Sequence, residues 1–417
     1  MSSPRMPAYA ALALLFGINF LNYIDRYVIS AVLPLIQDEL HIDDTHAGLL
    51  GSMFILVYMA ASPFTGVLGD RWPRRYLVGS GVLLWSVATV ASGFSASYHQ
   101  LLAARSFIGI GEAGFGAVSP TIISDLFPRE KRGRMLAFFY VAIPVGSALG
   151  YILGGHVGAD HGWRAAFLVA GAPGLLLGLL AFRMYEPARG AGDGVVGTGH
   201  GFSWSAAAGL LRVPSFVYTT LGMAAMTFAL GGIATWLPTF FSRVKGMPLK
   251  DAGTLVGEIT VAAGLIGTFL GGWLGDWLLP RTRRAYLLVS GVGMLLAVPF
   301  TLIGLSADDR TTSLSAIFVA EVLVFLNTGP ANAVLVNVSM PEIRATAISL
   351  SIFTFHLLGD VPSPLLIGRA SDAVGLELAL SLTSVAMAVS GILYLLGTRT
   401  LGADTERVQA AVAAQIA

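Results

Sequence analysis

The stretch FGINFLNYIDRYVISAVLPLI, residues 16–36, shapes the interpretation of the whole chain. It is apolar and long enough to cross a bilayer as a helix, because a span needs about 20 residues. Asp25 and Arg26 nevertheless stand side by side near its middle. A charge at the bilayer centre costs at least about 2.5–3.5 kcal/mol, so such residues normally face a protein interior or a water-filled cavity. We interpret the pair as part of a substrate or ion pathway; a buried structural ion pair is the alternative.

The composition places the chain in a membrane. Of its 417 residues, 55% are hydrophobic and only 12% are charged, against about 25% charged residues in soluble domains. A net charge of +1 gives no indication of nucleic-acid binding, and the absence of cysteine excludes disulfides and cysteine metal sites. The N-terminal stretch MSSPRMPAYA shows no cleavage site, so we expect the first apolar helix to be retained.

Twelve apolar runs are long enough to span a bilayer. The expected fold is therefore an all-α integral membrane protein with twelve transmembrane helices in two pseudo-symmetric six-helix bundles. The expected domains are an N-terminal bundle (1–186), a glycine-rich cytoplasmic linker (187–213), a C-terminal bundle (214–397) and a cytoplasmic tail (398–417). The predicted spans are 8–36, 46–70, 76–97, 99–126, 131–158, 163–186, 214–242, 250–279, 283–306, 312–339, 342–367 and 374–397.

Positive charge predicts the orientation of these spans. With the N-terminus inside, 17 of the 25 basic residues fall in inside segments, six fall outside and two lie within the membrane. Cytoplasmic loops carry the excess of Lys and Arg, so both termini are predicted to be cytoplasmic, in a multi-pass cell membrane that we expect to be a bacterial inner membrane. The loop 242–250, with three basic residues, is the local exception on the outside.

The two halves of the chain repeat each other. GVLGDRWPRR (66–75) has a looser echo in GGWLGDWLLPRTRR (271–284), and FPREKRGRMLA (127–137) has one in MPEIRATAISL (340–350). The offsets of 206 and 213 residues are each about half the chain, which indicates duplication of a six-helix unit. Two similar bundles around a central cavity are typical of a transporter that works by alternating access.

Two motifs resemble the major facilitator superfamily. In that family the loop after helix 2 reads roughly G-x-L-x-D-R-x-G-R-R/K, and helix 4 carries R-x-x-x-G-x-G. Proline at position 73 replaces the usual loop glycine. The matching residues are Gly66, Leu68, Asp70, Arg71, Arg74 and Arg75 in the loop and Arg105, Gly109 and Gly111 in helix 4.

The resemblance implies a gating role for Gly66, Asp70, Arg71, Arg74 and Arg75. In the superfamily the matching aspartate meets the positive N-terminal end of helix 11 and closes the inside face, an attraction that follows from the helix dipole. The simpler alternative is that the arginines only enforce topology.

A narrower set of segments is similar to the spinster-like transporters. That resemblance implies a lysophospholipid or sphingosine phosphate as substrate, with proton coupling proposed for some members. The segments are NYIDRYVISAVLP (22–34), AGLLGSMFILVYMAASPFTGVLGDR (47–71), GIGEAGFG (109–116), PTIISDLF (120–127) and FFYVAIPVGSALGYI (138–152).

Helix 4 adds two more charges to Asp25 and Arg26. Arg105 and Glu112 are seven residues apart, so two helical turns bring them to nearly the same face. A carboxylic acid in a poorly hydrated pocket holds a proton more readily, and a nearby arginine opposes this. Asp25 and Glu112 are therefore candidates for proton binding, with Arg105 as an exchanging partner. A static four-charge network that braces the two helices is the alternative.

Further residues are candidates for substrate contact. The guanidinium fork of Arg26 suits a phosphate or carboxylate, and Asn22 and Tyr23 lie about one turn earlier on the same side of the helix. Tyr140 in helix 5 offers an amphipathic wall, and Glu321 is a lone acid near the middle of helix 10. Ordinary helix packing is the alternative for each.

His356 and Asp360 form an i, i+4 pair in helix 11. Histidine titrates near physiological pH, so the pair is a further candidate for proton binding. The alternative is that the two side chains only satisfy each other.

These observations favour a proton-coupled secondary transporter for an amphipathic anionic lipid, such as a lysophospholipid or a sphingoid phosphate. The alternative is a drug or small organic-anion carrier of the same superfamily. An enzyme is not expected, because no nucleophile or metal-ligand spacing is visible. The expected partners are the substrate, protons and membrane lipids, with no cofactor, and the chain is expected to be a monomer.

Overall fold

The computed structural model describes residues 7–188, 208–340 and 343–416, and every regular element within these ranges is a helix. Part of the predicted linker 187–213 lies outside the described residues, as does the side chain of Asp70. Within the described ranges, eleven stretches are long and apolar enough to cross a membrane.

Five long helices make up the first half of the chain. They begin near the predicted positions, because each start follows a polar or proline break in an apolar run. The helices are α1 (Ala8–Leu40), α2 (Asp44–Arg71), α3 (Arg74–Gly93), α4 (Tyr98–Leu126) and α5 (Arg129–Ala181).

The 53-residue helix α5 contains two of the predicted spans. Gly162 interrupts it with a φ of 81° and a ψ of 160°, a left-handed backbone conformation that suits glycine. The break falls between the predicted spans 131–158 and 163–186. Dividing α5 there brings the eleven apolar stretches to the twelve predicted crossings.

The second half of the chain contains more short helices. A π-helical turn, Phe240–Val244, directly follows the first helix of this half, which ends at Thr239. The helices are α6 (Pro214–Thr239), α7 (Leu249–Leu278), α8 (Ala285–Ser306), α9 (Arg310–Phe325), α10 (Thr328–Asn337), α11 (Arg344–Leu358), α12 (Ser363–Val374), α13 (Leu376–Leu380) and α14 (Leu382–Ile416).

The contacts divide the chain into two compact units. The first contains Met1–Gly199 together with Leu237–Glu258, and the second contains His200–Trp236 and Ile259–Ala417. The end of α6, the π-helical turn and the first turns of α7 therefore pack with the N-terminal helices.

Small residues bring α1 against the first part of α5. A side chain added at Gly146, Gly150 or Gly154 would lie 2.7–2.8 Å from a carbonyl oxygen of α1. Spacing of four residues places these glycines along one face of α5, where they let the two backbones touch. Asn19 strengthens the contact by donating its side-chain amide to the Phe139 carbonyl at 3.0 Å. The close approach holds the charged middle of α1 in place.

Candidate transport site

The two adjacent charges of α1 face different partners. Thr89 Oγ1 of α3 donates to Asp25 Oδ2 at 3.2 Å, whereas Arg26 Nε donates to Glu112 Oε2 of α4 at 2.7 Å. The divergence follows from the angle of about 100° between successive residues of a helix. Asp25 and Arg26 therefore do not neutralise each other through a direct ion pair.

The ion pair between Arg26 and Glu112 is buried on one side and partly open on the other. The Glu112 side chain is fully buried, while 24% of the Arg26 side chain is exposed. Three aromatic rings surround the guanidinium carbon, with centroids 5.1 Å away at Tyr23, 5.3 Å at Phe54 and 4.9 Å at Tyr58. Such contacts stabilise a desolvated cation, so the ring set holds Arg26 in this position.

Arg105 brings a second, more deeply buried cation. Only 1% of it is exposed, and its guanidinium lies 4.8 Å from the Phe54 ring centroid. Within the part of the chain that the structure describes, its Nε and Nη1 atoms make no hydrogen bond, and neither does Asp25 Oδ1. Arg105 lies close enough to Asp25 and Glu112 to interact with both electrostatically. The buried charges are thus held near one another without every hydrogen bond being made.

Glycines position the acid of α4. A side chain added at Gly109 would come 2.6 Å from the Phe54 carbonyl oxygen, and one added at Gly111 would come 2.7 Å from the Gly81 carbonyl oxygen. Gly109 therefore allows α2 to approach α4, and Gly111 does the same for α3. Two glycines of the segment GIGEAGFG (109–116) therefore serve close helix packing on two sides of α4. This packing places Glu112 beside Arg26.

The remaining candidates of the first unit occupy different surroundings. Asn22 is buried on α1, and Tyr23 stacks beneath Arg26. Tyr140 is 46% exposed on α5, and its closest ring contact is with its neighbour Phe139 at 5.2 Å. Asn22 and Tyr23 thus lie at the charged cluster, while Tyr140 contributes an open aromatic surface.

Sequence reasoning missed three residues of the cluster: Thr89, Phe54 and Tyr58. Phe54 and Tyr58 are separated by one helical turn within the segment 47–71 that carried the spinster resemblance. This spacing, which places the two rings on one face of α2, is the sequence signal that could have identified them. Thr89 gave none, because a threonine in an apolar helix commonly bonds its own backbone.

In the second unit Glu321 lies on α9 and His356 lies near the end of α11, whereas Asp360, predicted to share a helix with His356, lies in the turn between α11 and α12. Glu321 of α9 is only 3% exposed, and its Oε2 atom has no hydrogen-bond partner among the described residues. His356 Nδ1 lies 2.9 Å from both carboxylate oxygens of Asp360. The histidine and aspartate are therefore in direct contact, as their spacing allows.

The loop motif between α2 and α3 contains one deeply buried arginine. Arg74, 3% exposed, donates from Nη1 to Asp125 Oδ2 at 2.5 Å and from Nη2 to the Pro187 carbonyl at 2.9 Å. Its Nε lies 3.4 Å from Glu186 Oε1. Arg71 is exposed, and the Arg75 guanidinium stacks on the ring of its neighbour Tyr76 at 4.9 Å. The motif arginines thus have separate structural positions.

Gly66 has open space around it. A side chain added there meets no atom within 4 Å. The motif glycine is therefore not required for close packing in this conformation.

Comparison with known proteins identifies the family of this chain. The profile described as "Major Facilitator Superfamily" matches residues 15–359. "Protein spinster homolog 3" of Danio rerio is 40% identical over 385 residues, which cover 88% of this chain and 77% of the relative. "Protein spinster homolog 1" of Homo sapiens is 35% identical over 431 residues, covering 95% and 82%. This chain belongs to the spinster family of the major facilitator superfamily.

Two further comparisons agree with spinster membership. "Sphingosine-1-phosphate transporter SPNS2" of Danio rerio is 38% identical over 391 residues, covering 89% of this spinster chain and 77% of the relative. A solved structure described as a bacterial homolog to the human lysosomal transporter Spinster, inward-facing and unoccupied, has a TM-score of 0.88 and 26% identity. The match covers 97% of this chain and 99% of the other. A spinster-family chain is a membrane transporter and not an enzyme, as the sequence predicted.

Proposed function

We propose that this protein is a proton-coupled transporter that works by alternating access and moves an amphipathic anionic lipid, such as a lysophospholipid or a sphingoid phosphate. The observation that carries the proposal is the ion pair between Arg26 and Glu112, which is partly open on the Arg26 side and has three aromatic rings around the guanidinium. The relative named as a sphingosine-1-phosphate transporter supports the substrate class.

Arg26 suits an anionic headgroup. Its guanidinium carries five N–H donors in a planar fork that matches the geometry of a phosphate. In this structure the Nε–H donor is bound to Glu112, so a phosphate competes with Glu112 for the same cation. The rings of Tyr23, Phe54 and Tyr58 provide apolar surface beside the charge. A ligand with one anionic end and one apolar end would satisfy both features.

Proton coupling follows from competition for Arg26. When a phosphate pairs with Arg26, Glu112 loses its hydrogen-bonded cation while its side chain stays buried. An unpaired buried carboxylate is costly, so Glu112 takes up a proton instead. Binding of the anion and binding of the proton therefore favour each other, and this linkage is reciprocal. Asp25 serves as a second proton-binding acid, with Arg105 balancing its charge.

The experiment measures protons taken up on binding. Purified protein in weakly buffered detergent, with a pH-sensitive dye, is titrated with sphingosine 1-phosphate and with a monoacylglycerol of equal chain length. We expect proton uptake with the phosphate ligand only, and its loss in Glu112→Gln, which keeps the shape of the side chain. Protons exchanged by the ligand itself contribute equally to the signals of the wild type and Glu112→Gln, so the difference between the two signals excludes them.

Two results would argue against this function. Phosphate binding with equal proton uptake in the wild type and Glu112→Gln would remove Glu112 from the coupling. Tighter binding of a drug or a small organic anion than of any lipid would favour the other carrier class of the same superfamily.

A further inference from the structure

A row of aromatic side chains follows one face of α7. Phe269, Trp273 and Trp277 recur every four residues and are 74%, 55% and 50% exposed. The rings of Trp273 and Trp277 are stacked, with centroids 6.4 Å apart and planes 20° from parallel. A spacing of four residues places the three rings on one side of the helix. We call these three residues the aromatic row.

The aromatic row lies opposite the packed face of α7. A side chain added at Gly267 would collide with the Val322 carbonyl oxygen of α9, and one added at Gly275 would lie 2.8 Å from the Tyr286 ring of α8. Phe269 and Trp277 each follow one of these glycines by two positions, which is about 200° around the helix. The row is therefore turned away from α8 and α9. Because the chain is a multi-pass membrane protein, this face is available to lipid.

An arginine is held at one end of the row. Arg281, in the turn after α7, places its guanidinium carbon 4.0 Å from the Trp277 ring centroid, and its Nη1 donates to the Trp277 carbonyl at 2.7 Å. Within the part of the chain that the structure describes, Arg281 forms no ion pair, whereas the neighbouring Arg283 is paired with Glu406. The Nε and Nη2 donors of Arg281 are therefore available to a ligand. Its contacts with Trp277 fix the direction of these donors.

The charge around this arginine is positive. The turn between α7 and α8 contains Arg281, Arg283 and Arg284, and the nearby carboxylates are Asp276 and Glu406. Three arginines against two carboxylates leave one net positive charge. Basic side chains at a membrane surface attract anionic lipids more than zwitterionic ones. The surroundings of the row thus complement an anionic headgroup.

We propose that the aromatic row and Arg281 form a binding site for an anionic phospholipid of the bilayer, such as phosphatidylglycerol. The lipid phosphate pairs with Arg281, and one acyl chain lies along the row. From Phe269 to Trp277 the row extends about 12 Å, close to the hydrocarbon depth of one leaflet, about 15 Å. Beside the row, a side chain added at Gly272 would meet no atom within 4 Å, which leaves space for the chain.

Quenching of tryptophan fluorescence tests this site. The protein is reconstituted in phosphatidylcholine with increasing mole fractions of brominated-chain phosphatidylglycerol, or of brominated-chain phosphatidylcholine as the matched probe. Subtracting the signal of the double variant Trp273→Phe/Trp277→Phe isolates the row from the other five tryptophans. Half-maximal quenching should occur at an about fivefold lower mole fraction of phosphatidylglycerol, the effect of one basic residue near the membrane surface.

The variants of the arginine separate its charge from its stacking. Arg281→Ala should remove the preference, which shifts the phosphatidylglycerol curve about fivefold towards the phosphatidylcholine curve. Arg281→Lys keeps the charge but lacks the planar guanidinium, so part of the preference should remain. Arg310→Ala, which removes an exposed arginine at the start of α9, is the matched control and should keep the full preference.

Thermal unfolding in detergent gives a second measurement that does not need the tryptophan signal. A lipid that binds only the folded protein raises its melting temperature. Phosphatidylglycerol should therefore stabilise the wild type more than phosphatidylcholine does, and this difference should vanish in Arg281→Ala.

Three results would overturn the lipid site. They are equal quenching of the wild type by the two brominated lipids, an unchanged preference in Arg281→Ala, and a dimer that shields the row from both lipids. None of these measurements involves Glu112, protons or sphingosine 1-phosphate. Failure of the lipid site would therefore leave the proposed transport function standing.

Discussion

Arg26 and Glu112, 86 residues apart in sequence, form a 2.7 Å ion pair between α1 and α4. Glu112 is thus a fully buried carboxylate whose charge is balanced by a cation of the neighbouring helix α1. Any ligand that engages Arg26 changes the electrostatic surroundings of Glu112. This relationship connects the anion-binding and proton-binding roles proposed for the cluster.

Replacing Arg26 should separate charged from neutral ligands. Arg26→Ala removes a charge-assisted interaction worth about 1.5–3 kcal/mol, so affinity for sphingosine 1-phosphate should fall by about ten- to over a hundredfold. Affinity for the monoacylglycerol should change little. Arg26→Lys should recover only part of the loss, since it lacks the planar fork. Binding is measured by titration calorimetry at constant pH.

The control for this change is Arg310→Ala, which removes an exposed arginine of α9. It should leave both affinities unchanged. If Arg26→Ala weakens the phosphate and the neutral ligand equally, Arg26 acts as a brace between helices and not as a headgroup partner.

Neutral analogues of the two acids should remove the pH dependence of transport. Asp25→Asn and Glu112→Gln mimic the protonated side chains, so uptake into proteoliposomes should no longer respond to an imposed pH gradient. Some binding of the lipid should persist, because Arg26 remains. Asp276→Asn, a change outside the cluster at a hydrogen-bonded surface carboxylate of α7, should keep the gradient dependence. A gradient response of wild-type size in both cluster variants would assign the coupling to other residues.

The cluster could be partly predicted because charged residues are rare in apolar helices. Asp25, Arg26, Arg105 and Glu112 stand out for that reason, and helical spacing brought them to related faces. Phe54 could not be singled out, since an aromatic residue in a membrane helix is ordinary. It becomes a cation partner only through the α2–α4 packing at Gly109.

The ion pairs Asp44–Arg243 and Asp160–Lys250 were less accessible to sequence reasoning. The sequence showed that 242–250 was unusually basic, but its acidic partners lie about 200 and 90 residues away. Such pairing depends on which helices touch, and local periodicity carries no information about that. By contrast, the break at Gly162 could be placed, because polar residues separate two apolar runs there.

Two glycines should respond in opposite ways to alanine. Gly111→Ala places a methyl group 2.7 Å from the Gly81 carbonyl oxygen, so we expect a loss of stability of about 1–3 kcal/mol from overpacking. Gly66→Ala meets no atom and should be neutral or stabilising by up to about 1 kcal/mol. Thermal unfolding in detergent measures both. A Gly66→Ala protein that is stable but inactive would show that this glycine is needed in another conformation.

Two arginines of the loop motif should also differ in their effect on the stability of the protein. This difference distinguishes a structural role from a role in gating. Arg74→Ala leaves the carboxylates of Asp125 and Glu186 without their buried cation, and breaking such a set typically costs about 3–5 kcal/mol. Arg75→Ala, a change at a partly exposed side chain, should stay within about 0.5 kcal/mol.

The double variant Arg74→Ala/Asp125→Asn should regain part of the stability lost in Arg74→Ala, because it removes one unpaired carboxylate. The melting temperature in detergent is the measurement, with transport recorded on the same samples. Equal melting temperatures for Arg74→Ala and Arg75→Ala would contradict a structural role for the buried arginine. If Arg74→Ala then also lost transport, its contribution would lie in gating.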